Sequence, residues 1–429
     1  MSNTEIQIQG ALAAGHLDKK DGRFNKVAAL LTALAIFAQE AAWNFYDAQV
    51  PVVLRHYTTS AALIGLMMGL DNFIGLFLQP WIAHKSDSTS TRWGRRLPYL
   101  LVGAPVAAIF YALIPWANSL PVLIFYMFSF ALVANAFKSV TETLVSDFQA
   151  PKHRGKASAV AKMATGLTVG VSAGISFFIV DNNIKVAFLL PAIILVIGVG
   201  VVAMFLDESK SYTSSSERAS SQKGSLNHSR FRDIVADIVF DKNRTRLLII
   251  FAIFATAGTW SAMRSQVSPY AMEVLGLTKG QAGTLSLPGG IAFLLAVVPI
   301  AILSDRYRRL FICKLGGVLF SVGCLVAFFH QSVQATTVGI AVAAVGYAAF
   351  AVNGVVIVWN MAPSSRFIGA YTGIYTIAAA CGATLVPALV GLLVDLTSWH
   401  YFMLHAAVVG LIAVSIMSLV TDAPAHKNS

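Results

Sequence analysis

Apolar residues run along this chain in long blocks, and polar residues collect in the gaps between them. A run of about 20 apolar residues crosses a bilayer as a helix, at about 1.5 Å per residue. Six such spans are predicted in the first half, at about 27–54, 61–83, 97–117, 121–148, 157–180 and 185–206. Six more follow at about 246–271, 280–303, 310–330, 336–361, 369–394 and 400–421, with only "APSSR" between the tenth and eleventh. The segment between the two sets, 207–245, starts Ser-rich and without apolar period, the pattern of a flexible linker. Near its end Phe231, Ile234, Val235, Ile238 and Val239 fall at helical spacing, which predicts one apolar face lying on the membrane surface. The expected fold is an all-α membrane protein with twelve transmembrane helices. Its parts are a tail at 1–26, six-helix bundles at 27–206 and 246–421 joined by 207–245, and a tail at 422–429.

The two sets repeat one another. "IFAQEAAWNFYDAQV" from Ile36 and "IFATAGTWSAMRSQV" from Ile253 share Ile-Phe-Ala, a Trp and Gln-Val, all at one constant separation along the chain. "SDSTSTRWGRR" from Ser86 is echoed by "SDRYRR" from Ser304, and "APKHR" from Ala150 by "APSSR" from Ala362. Three matches in order predict a duplicated six-helix unit. Two such halves related by an axis along the membrane normal are a transporter plan, with the substrate site between them.

Composition agrees. Hydrophobic residues are 56% and charged residues 12% of 429, against about 45–50% and 25% in soluble domains. The net charge of +11 raises the question of nucleic acid. The basic residues answer it, because they sit in short loops and no basic helix interleaved with aromatics appears. Lys85, Arg92, Arg95 and Arg96 flank loop 2–3, Lys152, Arg154 and Lys156 flank loop 4–5, and Arg306, Arg308 and Arg309 lie in loop 8–9. The alternate loops hold little beyond Arg55, Lys185 and Lys279. The positive-inside rule then predicts cytoplasmic termini and central loop in a multi-pass protein of the cell inner membrane. The first apolar run is too long for a signal peptide. Cys313, Cys324 and Cys381 all lie in apolar runs and have neither disulfide nor metal spacing. No cofactor or metal is expected, and a monomer is.

One loop concentrates charge. In "QPWIAHKSDSTSTRWGRRLPY", Asp87, Gly94, Arg95 and Arg96 resemble the loop 2–3 motif of the major facilitator superfamily. The longer pattern, with "WNFYDAQVP" in span 1 and "NAFKSVTETLVSDFQAPKHRGKA" in span 4, resembles the sucrose–proton symporters and the glycoside–pentoside–hexuronide cation symporters. The resemblance implies a twelve-helix carrier of sugars or glycosides. Where melibiose-type sodium symporters place acids on span 2, this chain has Gly75 and Gln79, and where sugar symporters often carry Arg on span 4 it has Lys138. Protons rather than sodium are therefore expected as the coupling ion. Asp87 with Arg95 and Arg96, echoed by Asp305 with Arg308 and Arg309, is expected to latch the two halves at the cytoplasmic side.

A charge at mid-bilayer costs about 2.5–3.5 kcal/mol on insertion scales, so intramembrane ionisable residues normally face a cavity or a partner. Glu40, Asp47, Asp71, Lys138, Glu142 and Arg264 are such residues. Counted from the cytoplasmic end, Glu40, Asp71 and Lys138 lie at similar height, a plausible proton relay, with Glu142 nearer the cytoplasm. Asp47 and Arg264 share one repeat position and are expected to face each other. Sugar recognition needs aromatic faces and neutral polar groups. Trp43, Asn44, Tyr46, Trp260, Gln266, Asn353, Tyr371 and Tyr375 are candidates, with Asp47, Lys138 and Arg264 beside them. "GVSAG" at 170–174 fits a nucleophile elbow only in pattern, since it lies mid-span. Gly166, Gly170 and Gly174 read instead as a groove for helix packing. The expected function is proton-coupled symport of a sugar or glycoside by alternating access, with small-molecule substrate, protons and lipid as partners. The alternative is an exporter or carrier of another solute, such as an organic anion held by Lys138 and Arg264. No catalytic constellation or Walker motif supports an enzyme or an ATP-driven pump.

Overall fold

The computed structural model describes residues 24–89, 91, 93–149, 151–206, 211, 244–362 and 368–420. The interfacial face expected at 231–239 lies outside these residues, as do Arg92, residues 363–367 and nearly all of both tails. Among the described residues, twelve helices are long and apolar enough to cross a membrane. In the first half they are α1 (Lys26–Tyr57), α2 (Ala61–Ser88), α3 (Leu97–Trp116), α4 (Leu120–Asp147), α5 (His153–Val180) and α6 (Ile184–Phe205). The second half holds α7 (Thr245–Val274), α8 (Lys279–Arg306), α9 (Arg309–His330), α10 (Val333–Asn360), α11 (Gly369–Leu396) and α12 (Trp399–Ser418). Loops 2–3, 4–5 and 8–9 share one face of the molecule, the loop 2–3 face. Loops 1–2, 5–6, 7–8 and 11–12 share the other, the loop 1–2 face.

Helix ends follow local chemistry. Asn25 caps α1 by accepting from the Ala28 N–H at 3.0 Å, and Ser60 caps α2 by accepting from Leu63 N–H at 3.2 Å. Both satisfy amides that the first turn leaves unpaired. The α2 helix runs to Ser88, beyond the expected end near 83, because the chain reverses only at the Thr91–Gly94 turn. Gly94 has φ +99°, a conformation that side chains with a Cβ avoid. It turns the chain so that Arg95 and Arg96 lead into α3.

Packing inside each half uses rings and small residues rather than apolar burial alone, because lipid is as apolar as leucine. In the first half Tyr111 meets Phe130 at 5.0 Å and Phe188 at 5.3 Å between ring centroids, and all three are fully buried. In the second half α9 and α10 meet backbone to backbone. A Cβ on Gly323 would lie 2.4 Å from the Gly339 carbonyl oxygen, and one on Gly346 would lie 2.4 Å from the Gly316 oxygen. Gly316 and Gly323 are two helical turns apart, as are Gly339 and Gly346, so the close approach is sustained along the pair. The glycine groove expected on α5 is different. Gly166 receives the Leu294 side chain from α8, but among the described residues nothing comes within 4 Å of a Cβ at Gly170 or Gly174. The spacing of these glycines is helical, yet that stretch of α5 presents them to no described neighbour.

The halves join at the loop 1–2 face. A Cβ at Gly65 of α2 would lie 2.2 Å from the Pro387 oxygen of α11, and one at Gly391 would lie 2.2 Å from the Ala61 oxygen. Ala61 accordingly belongs to the buried core of the second half. Arg55 at the end of α1 pairs with Glu273 at the end of α7, at 2.8 Å.

Candidate functional site

Between the halves lies a cavity of about 690 Å³. Its walls come from α1, α2 and α4 on one side and α7, α10 and α11 on the other. On α2 the lining runs from Met68 to Ala83, toward the loop 2–3 face. Three carboxylates and two cations line it: Glu40, Asp47 and Asp71, and Lys138 and Arg264.

Helical spacing explains the first wall. Glu40, Trp43 and Asp47 fall at i, i+3 and i+7 on α1, so one face of α1 carries all three. Lys138 Nζ of α4 lies 3.3 Å from Glu40 Oε1 and 5.8 Å from the Trp43 ring centroid. Trp43 is buried against Tyr46 and Phe130. Its indole N–H finds no acceptor among the described residues. Tyr46 is fully buried and does not line the cavity. Asp71 Oδ1 accepts from Asn72 Nδ2 at 2.9 Å, and Asp71 forms no ion pair among the described residues. The two acids thus have different company: a cation beside Glu40, an amide beside Asp71.

A second ion pair crosses between the halves. Arg264 Nη2 of α7 donates to Asp47 Oδ2 of α1 at 2.5 Å and to Asn44 Oδ1 at 3.3 Å. Asn44 is itself fixed by donating to Thr168 Oγ1 at 2.8 Å. Asn44 thus orients the arginine from one turn away rather than lining the cavity.

The second wall is aromatic. Trp260 lies flat on Tyr347, with centroids 4.5 Å apart and planes 5° apart, and Phe293 continues the stack. Tyr375 lines the cavity beside them. Tyr347 is not among the residues that the sequence singles out. Its signal is in the repeat, since Tyr347 stands as far after Phe130 as Trp260 stands after Trp43. The duplication therefore sets a Trp–aromatic pair on both walls.

Three expected contact residues point elsewhere. Gln266 is fully buried and its Nε2 donates to the Pro387 oxygen at 2.6 Å, a helix–helix contact. Asn353 is fully buried, donates to Ser304 Oγ and the Ala349 oxygen at 2.8 Å each, and accepts from Arg309 at 3.0 Å. Tyr371 is buried outside the cavity. Counting along the sequence gives their depth but not the face of the helix they occupy. Asn135, near the repeat position of Asn353, is the one that faces the cavity, where it accepts from Gln79 at 2.7 Å. Glu142 is exposed on α4 and outside the cavity lining.

The charged loops form described pairs within each half. Asp147 at the end of α4 forms an ion pair with Arg95 at 2.8 Å and accepts from Arg96 Nε at 3.0 Å. Arg96 also reaches Asp87 at 2.6 Å and the Ser86 hydroxyl. In the second half Arg309 reaches Asp305 at 3.4 Å. The described partners of Asp87 and Asp305 all lie within their own halves. With the cavity running toward this face, the described pairs tie helix ends together inside each bundle. Asp147 is silent in the sequence because nothing there brings it to Arg96, two helices away.

A twelve-helix bundle in two repeated halves, with a charged and aromatic cavity between them, defines the class of secondary carriers. The chain matches the family model of the Major Facilitator Superfamily over residues 32–309 and 249–429. It belongs to that family. A human membrane-associated transporter protein is 32% identical over 72 residues, a match spanning 17% of this chain and 14% of that protein. A bacterial homologue of the human lysosomal transporter Spinster, solved inward-facing and occupied, superposes with TM-score 0.73 at 13% identity, covering 92% of this chain and 97% of that one. The nucleoside transporter NupG gives 0.73 at 12% identity, covering 93% and 100%. A peptide transporter POT in complex with sulfate gives 0.68 at 12%, covering 93% and 96%. These likenesses show the fold.

Proposed function

We propose that the chain carries a sugar or glycoside together with protons across the cytoplasmic membrane, by alternating access. The observation that carries this reading is the make-up of the cavity. One wall offers stacked rings, Trp260 on Tyr347, of the kind that cover the apolar face of a pyranose. The other offers Glu40, Asp47, Asp71 and Lys138, joined by Arg264 of α7, as hydrogen-bond partners for hydroxyls. Both cations are already paired with acids, at 3.3 Å and 2.5 Å. That pairing disfavours an organic anion as substrate, since it would have to displace a carboxylate from each.

The acid left over supports proton coupling. Glu40 and Asp47 are each bonded to a cation, whereas Asp71 lines the cavity with an amide as its bonded partner among the described residues. Asp71 is therefore the carboxylate assigned to carry the proton. Sodium has less to bind here. A Cβ at Gly75, where sodium-type relatives carry an acid, would lie 2.8 Å from Asn135 Oδ1, and the Gln79 amide is already engaged with the same oxygen.

The basic loops support placing the loop 2–3 face, both termini and the central segment in the cytoplasm. The cavity then opens inward.

The test is uptake into proteoliposomes after a thermal-shift screen of disaccharides, hexuronides and carboxylates at two pH values. A sugar hit whose accumulation follows an imposed pH gradient and ignores sodium is the expected result. Stabilisation by carboxylates alone, or sodium-stimulated uptake at fixed pH, would overturn it.

A further inference from the structure

Two aspartates outside the central cavity sit at the loop 1–2 face. Asp181 follows the end of α5, and Asp395 lies in the last turn of α11. Each reaches across to the start of a helix in the other half. Asp395 Oδ2 accepts from the Ser60 hydroxyl at 2.7 Å and from the Ala62 N–H at 3.0 Å, and its Oδ1 accepts from the Ala61 N–H at 2.6 Å. Asp181 Oδ2 accepts from the Thr278 hydroxyl at 2.6 Å, and its Oδ1 accepts from the Gly280 N–H at 2.8 Å. The two arrangements share one plan: a hydroxyl of the capping residue on one oxygen, a backbone amide of the first turn on the other.

They also match in the repeat. Asp181 and Asp395 close the fifth helix of their respective halves, and Ser60 and Thr278 open the second. Ser60 is the capping residue of α2, and Thr278 that of the first segment of α8. Next to them a second matched pair recurs. Gln49 Nε2 of α1 donates to Ser176 Oγ of α5 at 3.0 Å and to the Lys279 oxygen of α8 at 3.3 Å. Gln266, its counterpart on α7, makes the corresponding bond to α11 and sits against Gly65 of α2. The fit at the α5–α8 site is tight, because a Cβ at Gly280 would lie 2.6 Å from Asp181 Oδ2.

We infer that Asp181 and Asp395 are a pair of pseudo-symmetric latches that hold the loop 1–2 face shut, each by capping the first turn of a helix in the opposite half. The physical basis is the positive end of a helix. Its first amides have no partner within the helix, and a carboxylate there satisfies them and meets a favourable field. When the halves separate at this face, both carboxylates leave both helix starts together. Water then solvates the carboxylates and the amides, so the latches are strong enough to favour closure and weak enough to release. Both aspartates are solvent-exposed, in keeping with that. The inference uses only the two-halved carrier architecture and does not depend on the substrate or the coupling ion.

Hydrogen–deuterium exchange of the full chain in lipid nanodiscs, without substrate, tests it. Asp181→Asn and Asp395→Asn, made singly, should each raise exchange about fivefold at both latch segments, 58–65 and 276–284, the scale of a lost helix cap. Exchange should fall at the far ends of the same helices, 80–89 and 369–376, as the opposite face closes. Ser60→Ala combined with Thr278→Val, which keeps both carboxylates, should move the same four segments in the same directions by less. A rise confined to the mutated latch, with the other latch and the far ends unchanged, would mean two ordinary helix caps and would overturn the inference. So would no change in either set of variants.

Discussion

At the residue scale the two ion pairs of the cavity do different work. Glu40 and Lys138 belong to one half and move together. Asp47 and Arg264 belong to different halves, so their 2.5 Å bond must lengthen whenever the halves part at that height. Lys138→Met removes the cation that Glu40 pairs with beside the Trp43 ring. Accumulation driven by a pH gradient should then fall, while counterflow exchange persists in part. Asp71→Asn should abolish pH-driven accumulation and spare counterflow. Retention of the pH response by the Asp71 variant, in the same vesicles, would remove it from the coupling step. Asp47→Asn and Arg264→Gln should each cripple uptake. The charge-swapped double variant should regain thermal stability more than uptake, because the bond is restored but the donors that meet substrate hydroxyls are reversed. Equal recovery of both would show the pair to be only structural.

At the element scale, the glycines separate two kinds of helix contact. Those of α9 and α10 lie against backbone, so Gly323→Leu should overpack the pair by about 1–3 kcal/mol and lower the melting temperature of the purified protein. Gly170→Leu, with open space around it, should leave stability within about 0.5 kcal/mol. If the two variants melt alike, the close approach of α9 and α10 is not what holds that pair. The contrast also marks what the sequence could tell. Each helix is legible because a span is a property of one segment, readable from hydropathy alone. The repeat is legible too, and it sets Trp43 with Trp260 and Asp47 with Arg264. Side-chain direction is not, since a helix rotated about its axis has the same hydropathy when every face is apolar. Gln266, Asn353 and Tyr371 sit at the expected depth but on another face for that reason. Tyr347 is legible only through the repeat position it shares with Phe130, and Asp147 escapes a reading of the sequence because its importance comes from contact with Arg96, distant along the chain.

At the scale of the whole molecule, the duplication yields a carrier whose contacts between halves gather on one face. Gly65 and Gly391 bring α2 and α11 to van der Waals contact there, and Gln49 and Gln266 brace them and α5 and α8. The cavity between the halves has three carboxylates against two cations, and that odd count has an electrical consequence. On the proposed cycle the cavity carrying a neutral sugar and one proton has no net charge, whereas the empty cavity carries one negative charge. Moving one elementary charge through 100 mV changes free energy by about 2.3 kcal/mol. A membrane negative inside then leaves the loaded step nearly untouched and drives the return of the empty carrier outward. Uptake against a gradient should therefore quicken with membrane potential at saturating substrate, where return limits turnover. Sugar exchange, which never passes through the empty state, should be indifferent to potential. Potassium–valinomycin clamps on the same proteoliposomes separate the two, and downhill uptake by Asp71→Asn, whose empty cavity would be neutral, should be indifferent to potential.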